Sequence, residues 1–125
     1  MKIISFAWTT AALLAGQKTC TRRKWDDGYA SNFWERDYIQ AYDRSPRYGG
    51  KRVAVIQLTC KPYKEALCHV PDSDWYTEGF EYLTNIGAKV NGMAPQQLWE
   101  EWKRTKAKIW VIRFEVIKDG TQIQP

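Results

Sequence analysis

The residues best suited to carry out chemistry lie in one short stretch near the N-terminus. An apolar segment ends there at Gly16, and hydroxyl and basic residues follow. Gly16 suits the left-handed backbone position that follows a helix. The alternating, β-branched run 19–23 predicts a strand. A helix end, a tight turn and a strand would hold Lys18, Thr21 and Arg23 within a few ångströms of one another. Such a group either binds an anion or carries out chemistry.

The composition describes the setting of this stretch. A chain of 125 residues, 44% hydrophobic and 14% aromatic, is sufficient for one domain with a core and too apolar for disorder. The net charge of +5 is confined to residues 1–52, which contain the stretch. A basic surface there would attract a phosphate-bearing partner. A solvated surface with an accidental imbalance explains the charge alone equally well.

The cysteines and the histidine argue against several kinds of site. Cys20, Cys60 and Cys68 are odd in number and lack C-x-x-C spacing, and His69 is the single histidine. Neither a disulfide framework nor a metal site is therefore expected. Reduced thiols suit a cytoplasmic protein. The run 3–16 superficially imitates a signal peptide, but polar residues interrupt it, and no apolar run reaches the roughly 20 residues that span a bilayer.

The order of the predicted elements indicates the fold that must position the stretch. Strands are expected at 2–7, 19–23, 38–43, 51–60 and 108–116. Helices are expected at 11–15, 30–36 (capped by Ser31), 71–78 and from 94 onward. Irregular structure is expected at 62–70 and 80–93. No dinucleotide-binding glycine fingerprint and no P-loop occurs. Strands outnumber helices and lie mainly in hairpins. This pattern predicts an α+β fold, a small and mostly antiparallel β-barrel flanked by short helices.

A second basic cluster lies on the Pro- and Gly-rich loop of the predicted hairpin. It consists of Arg44, Arg47, Lys51 and Arg52. The cluster either contacts a nucleic acid or forms a solubilising hairpin tip, and the sequence favours neither.

Three segments, taken in order, resemble the ASCH domains, a family with a PUA-like β-barrel. The family typically shows glycine, any residue, lysine, about three residues and arginine, which here fall on Gly16, Lys18 and Arg23. Thr21 stands where many members have glutamate. The segment 74–80 looks like the family's Glu-Gly-Phe motif, and 109–114 fits its closing strand. The resemblance implies one PUA-like ASCH domain over residues 1–125, of a bacterial or phage type.

The family implies two classes of function. One small bacterial branch hydrolyses the acetamide of N4-acetylcytidine with a lysine, a threonine and a glutamate, which match Lys18, Thr21 and Glu78 here. Arg23 matches the accompanying arginine. Other ASCH domains are linked to RNA binding. An amidohydrolase acting on a modified pyrimidine nucleoside and a non-catalytic RNA- or nucleotide-binding module of regulatory role therefore both stay open. The longer, tryptophan-rich middle section and the basic loop depart from the hydrolase branch.

Amide hydrolysis requires a nucleophile, a base and a group that stabilises the oxyanion. Thr21 is the candidate nucleophile, and Lys18 is its base only in the neutral form, which burial and the neighbouring Arg22 and Arg23 favour. Glu78 would orient Lys18 or activate a water. In the competing interpretation, Lys18 and Arg23 pair with Glu78 and merely stabilise the mouth of the barrel.

The ligand-binding residues expected from the sequence are aromatic or basic. Trp8, with Trp25 and Trp75 as alternatives, would stack on a pyrimidine. Arg22 and Arg23 would hold a carbonyl or a phosphate, and Arg44, Arg47 and Arg52 would extend the basic surface. The expected partner is a nucleoside or RNA, with no cofactor, metal or membrane. A monomer is the favoured state.

Overall fold

The computed structural model describes residues 1–119. Its strands are β1 (Lys2–Ser5), β2 (Cys20–Arg23), β3 (Tyr38–Tyr42), β4 (Arg52–Leu58), β5 (Tyr63–Ala66) and β6 (Lys108–Asp119). Its α-helices are α1 (Thr10–Leu14), α2 (Asp27–Ala30), α3 (Asp74–Thr77), α4 (Phe80–Asn85) and α5 (Pro95–Lys103). Short 3-10 turns lie at Ala7–Thr9, Pro46–Tyr48 and Leu67–His69.

The six strands form one strongly curled sheet, a half-barrel with the short helices around it. The strand order is β1-β3-β4-β6-β2, and β5 also pairs with β6. Of these pairs, β1 with β3 is parallel and the others are antiparallel. The predicted α+β, mostly antiparallel fold is confirmed.

Strand β6 organises the sheet because its 12 residues are long enough to pair with three strands. Its second half lies opposite β4, from Leu58 with Phe114 onward. Its first half pairs with β2 and β5, so that Thr21 lies opposite Ile112. The sequence predicts this strand, and the structure extends it beyond residue 116. Its length explains how the basic strand β2 is fixed to the body of the sheet.

The core follows the alternation of the strands. In β4, residues 54, 56 and 58 are buried while their neighbours are only partly covered, as expected for a strand with one face inward. The main cluster joins apolar residues of β1, β3, β4 and β6 with α1, among them Ile4, Phe6, Leu13, Ile39, Ile56 and Phe114. A second cluster, centred on Phe80 and Trp99, packs α4 and α5 together.

The prediction of a helix at 30–36 is wrong. The helix begins earlier, at Asp27, because the Asp26 side chain accepts a hydrogen bond from the backbone N–H of Tyr29 and caps it there. Ser31 lies at the other end, as the C-cap residue. The chain then turns, and Arg36 adopts a positive φ of 73°.

Both segments predicted to be irregular contain regular structure. The first includes β5, whose sequence Tyr-Lys-Glu-Ala lacks β-branched residues but pairs with the edge of β6. The second includes α4, a helix of six residues that lies against α3 and α5. Tertiary pairing decides both segments, and local propensity gives no signal for either.

Candidate functional site

A cavity of about 220 Å³ opens between the start of the sheet and the helices. Its polar lining comes from Lys18, Thr21, Arg22, Arg23 and Glu78, and its aromatic lining from Phe6, Trp8, Phe80 and Trp102. The three candidate catalytic residues therefore lie around one space, although Glu78 is 60 residues from Lys18 in the chain.

Lys18 and Glu78 form a buried ion pair at this cavity. Lys18 Nζ donates to Glu78 Oε1 at 3.0 Å and to the backbone carbonyl of Glu78 at 2.9 Å. The two side chains are 2% and 3% exposed. An ion pair so far from solvent is costly to form, and breaking it leaves a charge without compensation. The geometry therefore fixes both side chains in place.

Gly79 allows this pair to form. Its φ of 90° lies in the left-handed region that side chains rarely adopt, and a Cβ placed on it would come within 2.6 Å of the Ala12 Cβ. The same Cβ would lie 3.4 Å from the Lys18 Cβ. The glycine therefore permits the chain next to Glu78 to approach both α1 and Lys18.

Arg22 belongs to a buried ionic network behind the cavity. Its guanidinium donates to Glu78 at 2.7 Å, to Asp74 at 2.6 Å and to Glu65 at 3.0 Å. Arg113 completes the network with two hydrogen bonds to Asp74, at 2.9 and 2.8 Å. Together with the Lys18–Glu78 pair, the network contains three cations and three carboxylates. Its charges balance, so the fold already uses the Arg22 charge.

The charges in this network shift the pKa values of its members. Burial alone would raise the pKa of Asp74, but hydrogen bonds from Arg113, Thr77 and Arg22 outweigh it and lower that pKa to about 2. Burial alone would lower the pKa of Arg22, but Glu78 and Asp74 raise it above the usual value. Both groups are therefore held in their charged forms.

Thr21 and Arg23 lie on the same face of β2, as residues two apart in a strand must. Arg23 Nε donates to the Thr21 hydroxyl oxygen at 3.1 Å, and Arg23 Nη2 donates to the Ser5 carbonyl at 2.7 Å. The guanidinium lies over the Phe6 ring, 5.4 Å from its centroid.

The charge of Arg23 is not neutralised locally. Within residues 1–119, no carboxylate lies at ion-pair distance from it. Burial lowers the pKa of Arg23, because the charged form loses solvation there. The charge of Glu78 acts on Arg23 from a distance and opposes this effect. A half-buried cation whose direct hydrogen-bond partners are neutral favours an anion, or a developing oxyanion, in the adjoining space.

Of the tryptophans expected to stack on a ligand, Trp8 lies at the cavity and is 59% exposed. Trp25 instead stacks on Phe33, with ring centroids 4.5 Å apart, and Trp75 packs against Phe80 at 5.7 Å. These two rings belong to apolar packing.

Sequence reasoning missed Trp102 as a lining residue. The predicted helix from 94 onward places Trp99 and Trp102 on one apolar stripe, a pattern typical of a helix face that packs on a core. The Arg22 guanidinium lies over the Trp102 ring, 5.7 Å from its centroid. A stripe that is wide enough to cover a core can also expose one ring to a cavity, and spacing alone does not separate the two roles.

The three arginines predicted to extend the basic surface differ in their position relative to the candidate site. Arg44 lines a second groove next to Trp8. Arg47 lies exposed on the 3-10 turn at the loop tip, and Arg52 Nη1 donates to Gln40 on the neighbouring strand at 3.4 Å. Of these three described arginines, Arg44 is the one that lines a cavity adjoining the candidate site.

The described part of the chain shows no other kind of centre. Within residues 1–119, no group of three His, Cys, Asp or Glu side chains is placed to hold a metal ion. The cysteines are unpaired, and burial raises the pKa of Cys20, which makes this thiol a poor nucleophile. No helix in this range is long and apolar enough to cross a bilayer.

A similar fold occurs in protein EF3133 from Enterococcus faecalis V583, which has a crystal structure and is described by the family name DUF984. The two structures align with a TM-score of 0.60 and 15% sequence identity, over 99% of this chain and 84% of the other. At this identity the likeness shows a common fold and transfers no residue role. No protein-family model and no curated protein matches this chain.

Proposed function

We propose that the protein is an amidohydrolase that removes the acetyl group from a modified pyrimidine nucleoside such as N4-acetylcytidine. The observation that carries the proposal is the grouping of Lys18, Glu78 and the Thr21–Arg23 pair around one cavity. These residue types match those of the ASCH branch with this activity. Membership of the ASCH family, in a bacterial or phage cytoplasm, is part of the proposal.

The first step forms an acyl-enzyme. A proton passes from Lys18 to Glu78 along their 3.0 Å contact, which leaves a neutral amine as the base. The amine takes the Thr21 proton while the hydroxyl oxygen attacks the acetyl carbonyl. Collapse of the tetrahedral intermediate breaks the bond between the carbonyl carbon and N4, and the Lys18 ammonium returns a proton to N4. Cytidine leaves, and the acetyl group stays as an ester on Thr21.

A water molecule then attacks the ester carbonyl and gives a proton to the Lys18 amine. The bond to the Thr21 oxygen breaks, Lys18 returns the proton to that oxygen, and acetic acid leaves as acetate after it loses its proton to solvent. Arg23 stabilises both steps. Its Nε already donates to the Thr21 oxygen and stabilises charge that develops there. The hydrogen bonds that Arg23 makes within residues 1–119 come from Nε and Nη2, so Nη1 is the donor for the carbonyl oxygen as it becomes an oxyanion.

The test is to incubate the purified protein with N4-acetylcytidine and to quantify cytidine and acetate. We expect the two products in equal amounts. The matched variant is Lys18→Met, which keeps a long apolar stem and removes the amine; we expect no turnover from a variant whose circular dichroism is unchanged. Turnover by Lys18→Met at the wild-type rate, or none by the wild type, would refute the proposal.

A second candidate function is the binding of RNA or a nucleotide without catalysis. The observation that favours it is the exposed Trp8 ring between the cavity and the groove of Arg44. This alternative requires the aromatic surface and the positive charge but not the Thr21 hydroxyl. Salt-sensitive binding of single-stranded RNA without turnover would support it.

A further inference from the structure

The candidate site continues beyond the cavity that contains Lys18. A groove of about 330 Å³ is lined by Ala7, Trp8, Asp43 and Arg44. Ala7 and Trp8 also line the cavity, so the two spaces meet along these residues. Ala7 adopts a φ of 44°, a strained conformation for a residue with a side chain. This strained turn places the Trp8 ring between the two spaces.

The hairpin loop holds Arg44 at the far side of the groove. The Gly50 backbone packs so closely on the loop that an added Cβ would lie 1.8 Å from the Arg44 carbonyl oxygen. Gly50 N–H donates to the Ser45 carbonyl at 3.0 Å, and Lys51 N–H donates to Asp43 Oδ1 at 2.8 Å. These contacts close the loop at its base, so the main chain at Arg44 has a defined place.

The Arg44 side chain is exposed, and within residues 1–119 it has no ion-pair or hydrogen-bond partner. The neighbouring Asp43 is engaged through one carboxylate oxygen, and its other oxygen can accept from a sugar hydroxyl. A free guanidinium is suited to a phosphate because its planar fork matches two phosphate oxygens.

We infer that the ligand of this site is a nucleotide, whose base occupies the cavity against Trp8 and whose phosphate is bound by Arg44. The inference rests on the proposed function for the position of the base. The phosphate belongs to a mononucleotide or to one unit of an RNA strand, and the chemistry that Arg44 recognises is the same in both. Trp8 stacks on the ring, and the groove receives the sugar and phosphate.

The test measures binding of cytidine, cytidine 5′-monophosphate, cytidine 3′-monophosphate and a short oligocytidylate by calorimetry. We expect at least one monophosphate to bind at least about tenfold more tightly than cytidine, the gain of one charge-assisted hydrogen bond. Added salt should weaken binding of the monophosphate and not of cytidine. An oligocytidylate that binds more tightly than either monophosphate identifies an RNA strand as the source, and equal affinity identifies the mononucleotide.

Matched variants separate Arg44 from the general charge of the loop. Arg44→Ala should reduce the affinity ratio of monophosphate to cytidine to about one, whereas Arg47→Ala removes the same charge from the same loop and should retain most of the ratio. Equal effects of the two variants, or equal binding of cytidine and both monophosphates by the wild type, would overturn the inference. Phosphate-dependent binding without turnover of N4-acetylcytidine would instead overturn the proposed hydrolase activity and leave the nucleotide site standing.

Discussion

Replacing Asp74 by asparagine perturbs the ionic network without touching the proposed catalytic residues. The carboxylate is fully buried and accepts four hydrogen bonds, two from Arg113, one from Arg22 and one from Thr77. Asparagine has the same shape but directs an NH2 group at one or more of these donors. The variant therefore loses both the negative charge and part of the hydrogen bonding.

The size of the effect follows from the pKa of Asp74, which the folded state lowers from 3.8 to about 2. A shift of nearly two units corresponds to about 2 kcal/mol of stability. Because the folded pKa is depressed, the unfolded chain binds the proton first as the pH falls. The contribution is complete above about pH 5 and is lost as the pH falls through about 2.

The assay is urea unfolding of the wild type and Asp74→Asn at about pH 6 and at about pH 2.5, followed by tryptophan fluorescence. We expect the difference in unfolding free energy between the two proteins to shrink by about 1–2 kcal/mol at the lower pH. Asp72→Asn, at an exposed position before α3, is the control and should show no such change. A stability difference between wild type and Asp74→Asn that is independent of pH would refute the assignment of Asp74 as the depressed carboxylate.

Two further variants test the geometry around Lys18. Glu78→Gln leaves two buried cations with one carboxylate fewer, so we expect the free energy of unfolding to fall by about 3–5 kcal/mol. The control is Glu65→Gln at the half-buried edge of the same network, for which we expect a loss of less than about 1 kcal/mol. Equal losses of the two variants in urea unfolding would argue against a central role for Glu78. Gly79→Ala combines a positive φ with a clash at Ala12, whereas Gly16→Ala has a positive φ and open space. We expect about 1–2 kcal/mol of destabilisation for Gly16→Ala and clearly more for Gly79→Ala, and thermal unfolding that ranks them the other way would contradict the close approach at residue 79.

The strand pattern correctly predicts how Thr21 and Arg23 lie relative to each other. The alternation of residues 19–23 places Thr21 and Arg23 on one face, and the structure shows their side chains hydrogen-bonded. Gly16 has the expected left-handed conformation, with a φ of 74°. These features depend on local backbone geometry, which a short stretch of sequence determines.

The same reasoning does not predict the role of Arg22. Its position beside Arg23 suggests a ligand-binding cation, but its charge is taken up by Glu65, Asp74 and Glu78. Glu65 meets Arg22 because β5 and β2 both pair with β6. Asp74 and Glu78 come from α3 and the residue that follows it. Glu65 lies in a stretch that has no strand signal of its own. Ion pairs between distant segments follow from the tertiary fold, and the spacing of charges in sequence does not encode them.

The contact between Glu78 and Lys18 is neither a local feature nor one that the sequence leaves without any signal. Nothing in the local sequence relates two residues 60 positions apart, and the resemblance to the ASCH domains is what predicts their meeting. The structure shows the contact and also supplies a reason for it, because Gly79 removes the side chain that would block the approach.

The most direct measurement is the rate of N4-acetylcytidine hydrolysis by the wild type, Thr21→Ser and Thr21→Val, with cytidine monophosphate binding measured on the same preparations. Thr21→Val keeps the shape of the side chain and removes the hydroxyl that Arg23 contacts. If Thr21 is the nucleophile, the valine variant loses at least about a thousandfold in kcat and still binds the nucleotide, while the serine variant retains turnover. Undiminished hydrolysis by Thr21→Val, or a wild type that binds the nucleotide and hydrolyses nothing, would contradict the account.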